Sequence, residues 1–139
     1  MDFTIVDTGI WFAIFDKGDE RHEEGQEKAK LLDMLQVVIP WPTMYETLRT
    51  KFVKNKNALK KFEAFLKSTA VIYLDDKFYR EEAFQLSFES SLREKRPLSM
   101  VDCLLRLQLE DVNVNVQYLA TFNRRDFIDI CDRRGIEII

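Results

Sequence analysis

Histidine is almost missing from this 139-residue chain: His22 stands alone, and the two cysteines, Cys103 and Cys131, form no CxxC pair. So few soft ligands exclude a structural zinc site, and both thiols are expected to be reduced and packed. Chemistry that needs imidazole has a single candidate, and it sits in the acidic segment DERHE, where a solvated loop residue is the simpler reading. With only four glycines and three prolines, no low-complexity stretch and no internal repeat, nothing reads as a linker. Residues 1–139 are therefore read as one domain, long enough to bury a core without covalent staples. Long apolar runs are lacking too. The first is broken at Asp7, Thr8 and Gly9, far short of the roughly 20 residues of a membrane span, and no basic segment leads into a signal-peptide core. The expectation is a cytoplasmic protein that does not enter membranes.

What is present is charge, unevenly spread. The net charge is −3, yet Asp16 to Glu27 holds six acids against two bases, and Arg49 to Lys67 holds seven bases against Glu63 alone. A basic stripe on an acidic protein attracts polyanions locally, although a solvated helix face explains it equally well. Hydrophobic periodicity alternates short strands with helices. FTIVD reads as a strand, followed by a helix from Thr8, a charged helix from His22 to Gln36, and the strand VVIP at 37–40. TMYETLRTKF then reads as one helix whose Tyr45, Leu48 and Phe52 share a face, with a further helix near 58–68 and the strand AVIYL at 70–74. Long helices over 76–94 and 99–110, the strand VQYLATF, a short helix near 125–134 and an edge strand GIEII complete the chain. The eleven Phe and the Tyr residues are read as core material. This order predicts an α/β fold with a mainly parallel sheet covered on both faces, whose strand C-termini share one ligand-binding edge.

Four acids fall on that edge. Asp7 ends the first strand, Glu46 lies early in the helix after the second, Asp102 opens the helix that leads into the fourth strand, and Asp126 follows that strand. Thr43 and Glu46, Ser99 and Asp102, and Asn123 and Asp126 also have the spacing of helix capping boxes, so each of these acids has a purely structural reading. Asp7, at a strand end, shows no capping pattern. Carboxylates gathered at one rim repel one another unless a proton or a cation intervenes, and a divalent ion that prefers oxygen ligands answers that need.

The segments IVDTGIW, PTMYETL, LSMVDCLL and LATFNRRDF, in this order and spacing, resemble those of PIN-domain ribonucleases, the small VapC-type toxins of prokaryotic toxin–antitoxin pairs. The resemblance spans nearly the whole chain. It implies a PIN-like three-layer sandwich, α/β, with a short, mainly parallel central sheet of four to five strands between helices. It also implies one or two Mg²⁺ or Mn²⁺ ions held by Asp7, Glu46, Asp102 and Asp126, cleavage of single-stranded RNA, and a cognate antitoxin as partner. Thr8, Ser99 and Thr121 are the hydroxyls placed to orient those carboxylates, with Asn123 as a neutral neighbour. Two positions depart from the pattern: Gly9 stands where Ser or Asn is frequent, and Asn123 where some relatives carry an acid.

Under this reading Arg49, Lys51, Lys54, Lys60, Arg124 and Arg125 carry the RNA backbone toward the acids. Trp11, Phe12, Phe52, Phe62 and Phe65 either fill the core or form a homodimer surface. Two rivals remain. A phosphatase or phosphotransferase would use Asp7 as nucleophile, although Gly9 breaks the DxD signature of that chemistry. An interaction module would use the rim acids only as caps.

Overall fold

A computed structural model describes residues 1–94 and 96–139. Five strands form one parallel sheet: β1 (Phe3–Val6), β2 (Gln36–Pro40), β3 (Ile72–Leu74), β4 (Tyr118–Ala120) and β5 (Glu137–Ile138), in the spatial order β3-β2-β1-β4-β5. The helices are α1 (Thr8–Phe15), α2 (His22–Leu32), α3 (Trp41–Thr47), α4 (Thr50–Val53), α5 (Lys56–Ser68), α6 (Arg80–Arg93), α7 (Met100–Glu110) and α8 (Arg124–Arg134).

Strand alternation sorts the core into two layers. Val6, Val37, Ile39 and Ala120 face the side covered by α1, α3, α4 and α5, where Ile10, Trp11, Met44, Phe52 and Phe62 meet them. Ile5, Val38 and Leu119 face the other side, against Leu105 and Leu109 of α7 and Phe127 and Ile130 of α8. Because both faces are covered there, the inner strands β1, β2 and β4 are largely apolar and buried along most of their length, whereas the edge strands β3 and β5 are partly exposed. Helix α6 lies outside α7, joined through Ala83, Leu104 and Leu107. Gly25 lets α2 come up against α1, since a Cβ there would lie 2.4 Å from the backbone of Ala13.

The structure corrects several readings. Helix α2 ends at Leu32, so Gln36 belongs to β2, and α6 begins at Arg80, after a turn in which Asp76 binds the Arg80 guanidinium at 2.9 Å. TMYETLRTKF is two helices, not one. Thr43 donates to Pro40 O at 2.7 Å and Thr47 donates to Thr43 O at 2.7 Å, so α3 buries the Thr43, Met44 and Thr47 face. Tyr45 and Leu48 are turned out, and of the predicted trio only Phe52 is buried. Trp11, Phe52 and Phe62 are buried in the α1–α5 layer with Phe12, Phe15 and Phe65 partly buried against them, so the core reading accounts for all five. The aromatics left outside are others: Trp41, Tyr45, Tyr73, Phe78, Phe84 and Phe88. Cys103 and Cys131 are free and buried. No helix among the described residues is long and apolar enough to cross a membrane.

Candidate active site

The chain reverses direction across the sheet at β1, which pairs with β2 on one side and β4 on the other. A crevice opens outside the strand ends at such a switch point. Asp7 occupies it. Its N–H extends the ladder to Ala120 O at 3.0 Å, and the next residue begins α1. The side chain is 7% exposed and both carboxylate oxygens are engaged: Oδ1 accepts from the Thr8 N–H at 2.8 Å, and Oδ2 accepts from the Thr121 hydroxyl at 2.8 Å. The Thr121 oxygen in turn accepts from the Asn123 N–H at 3.0 Å, so the donor to Asp7 is itself held in place.

The capping roles differ from those read in the sequence. Asp7 is the acid that caps a helix, accepting from the first residue of α1. Glu46 lies in the last turn of α3, because that helix starts at Trp41, and Thr43 caps nothing. Ser99 does cap α7, accepting from the Asp102 N–H at 3.1 Å, which leaves the Asp102 carboxylate outside the cap. Near Glu46, the Thr8 hydroxyl lies 3.1 Å from Oε1 and 3.2 Å from the Thr43 carbonyl, so its one proton serves both.

Asp7, Glu46 and Asp102 line one open cleft of about 300 Å³ with Thr8, Gly9, Arg49, Ser99 and Asn123. Burial pushes the Asp7 carboxyl above its ordinary 3.8, against the hydrogen bonds from Thr121 and Thr8, and the charge of Asp102 adds to the rise. Glu46 is likewise raised from 4.5, first by burial and then by Asp7 and Asp102, while Thr8 and Arg49 oppose the shift. Among the described residues, no ion pair neutralises any of the three.

Asp126 is not in this cleft. Its carboxylate meets the Arg96 guanidinium, and Arg106 donates to its backbone carbonyl at 2.6 Å while gripping Asp129 through two bonds of 2.8 Å. The two arginines hold it in a neighbouring concavity with Arg125 and Asp129, and Asn123 faces the acids instead. Arg49 reaches the cleft with its guanidinium 4.9 Å from the centre of the Phe12 ring. Lys51, Lys54, Lys60, Arg124 and Arg125 are exposed. His22 is structural: its Nδ1 lies 2.8 Å from Ala13 O, tying the start of α2 to α1.

Among the described residues, no three His, Cys, Asp or Glu side chains converge closely enough to form a finished metal cage. The donor set nevertheless suits a hard cation. Mg²⁺ is ordinarily bound through one or two carboxylates with several waters retained, and this cleft offers three carboxylates, of which Asp7 and Glu46 are held above their ordinary pKa chiefly by burial.

No protein-family model matches the sequence, and no curated protein matches it. By fold the chain is similar to VapC20 of Mycobacterium tuberculosis, a sarcin-ricin loop cleaving toxin. The TM-score is 0.67 over 91% of this chain and 94% of that one, at 20% identity. The α/β, PIN-like architecture implied by the four motifs is the architecture found, with five strands and helices on both faces.

Proposed function

We propose that this chain is a divalent-metal-dependent ribonuclease that hydrolyses phosphodiester bonds of single-stranded RNA in the cytoplasm, as the toxin of a toxin–antitoxin pair. The observation that carries this reading is the arrival of Asp7, Glu46 and Asp102, from three distant segments, in one cleft at the switch point of a parallel sheet, without a counter-charge bonded to any of them. The likeness of fold to a sarcin-ricin loop cleaving toxin supports RNA as the substrate class.

Mg²⁺ or Mn²⁺ held by these acids would supply a Lewis acid toward the phosphodiester and acidify an attacking water. The chain's own work is positioning. Thr8 and Thr121 fix the Asp7 carboxylate, and Thr8 also steadies Glu46 through Oε1. Arg49 offsets the acids enough to admit a phosphate, with Lys51, Lys54, Lys60, Arg124 and Arg125 attracting the strand from farther out. Asn123 fills the fourth place in the cleft as a neutral neighbour, since Asp126 is engaged by Arg96.

The rivals fare worse. An Asp7 nucleophile lacks the second acid of the DxD signature, since Gly9 stands two residues on. Acids serving only as caps would leave Glu46 and Asp102 unexplained, since neither caps a helix. An antitoxin completes the proposal, and so does a homodimer. With the α1–α5 aromatics consumed in the core, the exposed stripe Phe84, Phe88 and Leu92 on α6 is where a second copy would bind.

The test is incubation of the purified protein with single-stranded RNA in Mn²⁺ and in EDTA. Cleavage is expected in Mn²⁺ only, and lost in Asp7→Asn and Glu46→Gln. RNA left intact in Mn²⁺, or cut equally well in EDTA, overturns the reading.

A further inference from the structure

Three aromatic side chains on α3 and β3 are left outside the core. Trp41, the first residue of α3, stacks on Tyr73 of β3 with centroids 4.6 Å apart and planes 18° from parallel. Each ring keeps about two-fifths of its surface in solvent, 42% for Trp41 and 40% for Tyr73. Tyr45, one helical turn beyond Trp41, is 79% exposed. Rings left exposed in a group mark a binding surface rather than failed packing. The next residue, Glu46, lines the cleft, and so does Arg49, which lies beyond the end of α3.

We propose that Trp41, Tyr45 and Tyr73 form a stacking platform for unpaired nucleobases of the RNA strand whose backbone enters the cleft. The proposal rests on the ribonuclease reading and gives its substrate a shape requirement: bases next to the cut must be free to leave a helix. Continuity with the cleft selects this occupant over a protein. Trp41 and Tyr45, four apart, share one face of α3, and Glu46 follows Tyr45 directly, so the platform and the cleft are joined within one short helix. Arg49, which also lines the cleft, supplies a cation for the incoming phosphate. Every base has a π-face, so such a platform accepts many sequences and demands only single-strandedness.

The chain has an internal reporter, because Trp11 is fully buried and Trp41 is the other of its two tryptophans. A short oligouridylate titrated into Asp7→Asn protein, with binding followed in parallel by polarisation of labelled RNA, should quench Trp41 emission. Adding Tyr73→Leu or Tyr45→Ala should weaken binding about 5- to 150-fold, the range that one lost stack spans. Tyr45→Ala guards against misfolding as the cause, since that side chain is almost wholly outside the protein. In the active background the same two changes should raise KM more than they lower kcat. RNA that is bound and cleaved while Trp41 emission and the KM of both variants stay fixed overturns the platform and leaves the ribonuclease reading standing. Quenching of Trp41 by RNA that is never cut sinks the ribonuclease reading and retains the platform. Trp41 emission that changes with protein concentration alone, and not with RNA, assigns the surface to a second copy and overturns the proposal.

Discussion

At the scale of single residues, Asp7 is a buried carboxylate with no cation bonded to it among the described residues. Burial and the charge of Asp102 raise its carboxyl above 3.8, and Glu46 is raised beside it. An acid whose folded pKa is raised contributes stability that is fully present below its unfolded pKa and is lost as pH rises through the folded value. In EDTA, therefore, wild type should lose stability across that window, and Asp7→Asn should not lose the Asp7 share. The melting-temperature difference, variant minus wild type, should be more positive at pH 7 than at pH 4, and a difference that shrinks with pH would contradict the assignment. Asn fits the site, with Oδ1 still accepting from Thr8 and Nδ2 donating to the Thr121 oxygen. Thr121→Val removes a buried donor to Asp7 and should cost about 1–3 kcal/mol of stability, with metal affinity falling about 10- to 100-fold. Calorimetric titration with Mn²⁺ reads the second effect. The sequence identified Asp7 through its isolation among apolar neighbours. It read the Ser99 cap correctly but missed the cap at Asp7 and placed a false one at Thr43, because capping-box spacing says nothing about where the helix begins.

Elements explain where pattern reading succeeded and where it failed. The place of each strand could be read from its apolar run, most directly for β1 and β2, which are buried along most of their length, while β3 and β4 prove shorter than the runs at 70–74 and 116–122. The α3–α4 segment could not. Its buried face is Thr43, Met44 and Thr47, with both threonine hydroxyls bonded back to carbonyls, and this leaves Tyr45 and Leu48 exposed. Trp41 and Tyr45, four apart, were the signal that periodicity could have assigned to either face. Two predictions belong to this scale. Gly25→Ala forces a Cβ within 2.4 Å of the Ala13 backbone, so α1 and α2 must separate. The cost should be about 1–3 kcal/mol, measured by urea unfolding. Between α7 and α8, Arg106 holds Asp129 down to about 2. Stability from this pair is complete above the ordinary 3.8 and is lost as pH falls through about 2. Asp129→Asn should thus destabilise near pH 6 and converge with wild type near pH 2. The Asp129 side chain is half exposed, so the difference should not exceed about 1 kcal/mol.

For the whole molecule, topology does the selecting. Placing β1 between β2 and β4 brings residues 7, 46, 102 and 123 to one rim. Sequence order and a right-handed crossover were enough to foresee the rim. Asp126 escaped that reasoning because a partner thirty residues away in sequence, Arg96, captures it, and no local pattern encodes such a pairing. The account stands or falls on whether the cleft holds a divalent ion through Asp7. Thermal unfolding of wild type and Asp7→Asn should be compared in EDTA and in Mn²⁺ at saturating excess. A ligand at about 100 times its Kd stabilises the folded state by about 2.7 kcal/mol, so wild type should gain a shift of that order and Asp7→Asn little or none. Equal Mn²⁺ shifts in the two proteins, or none in wild type, would contradict it.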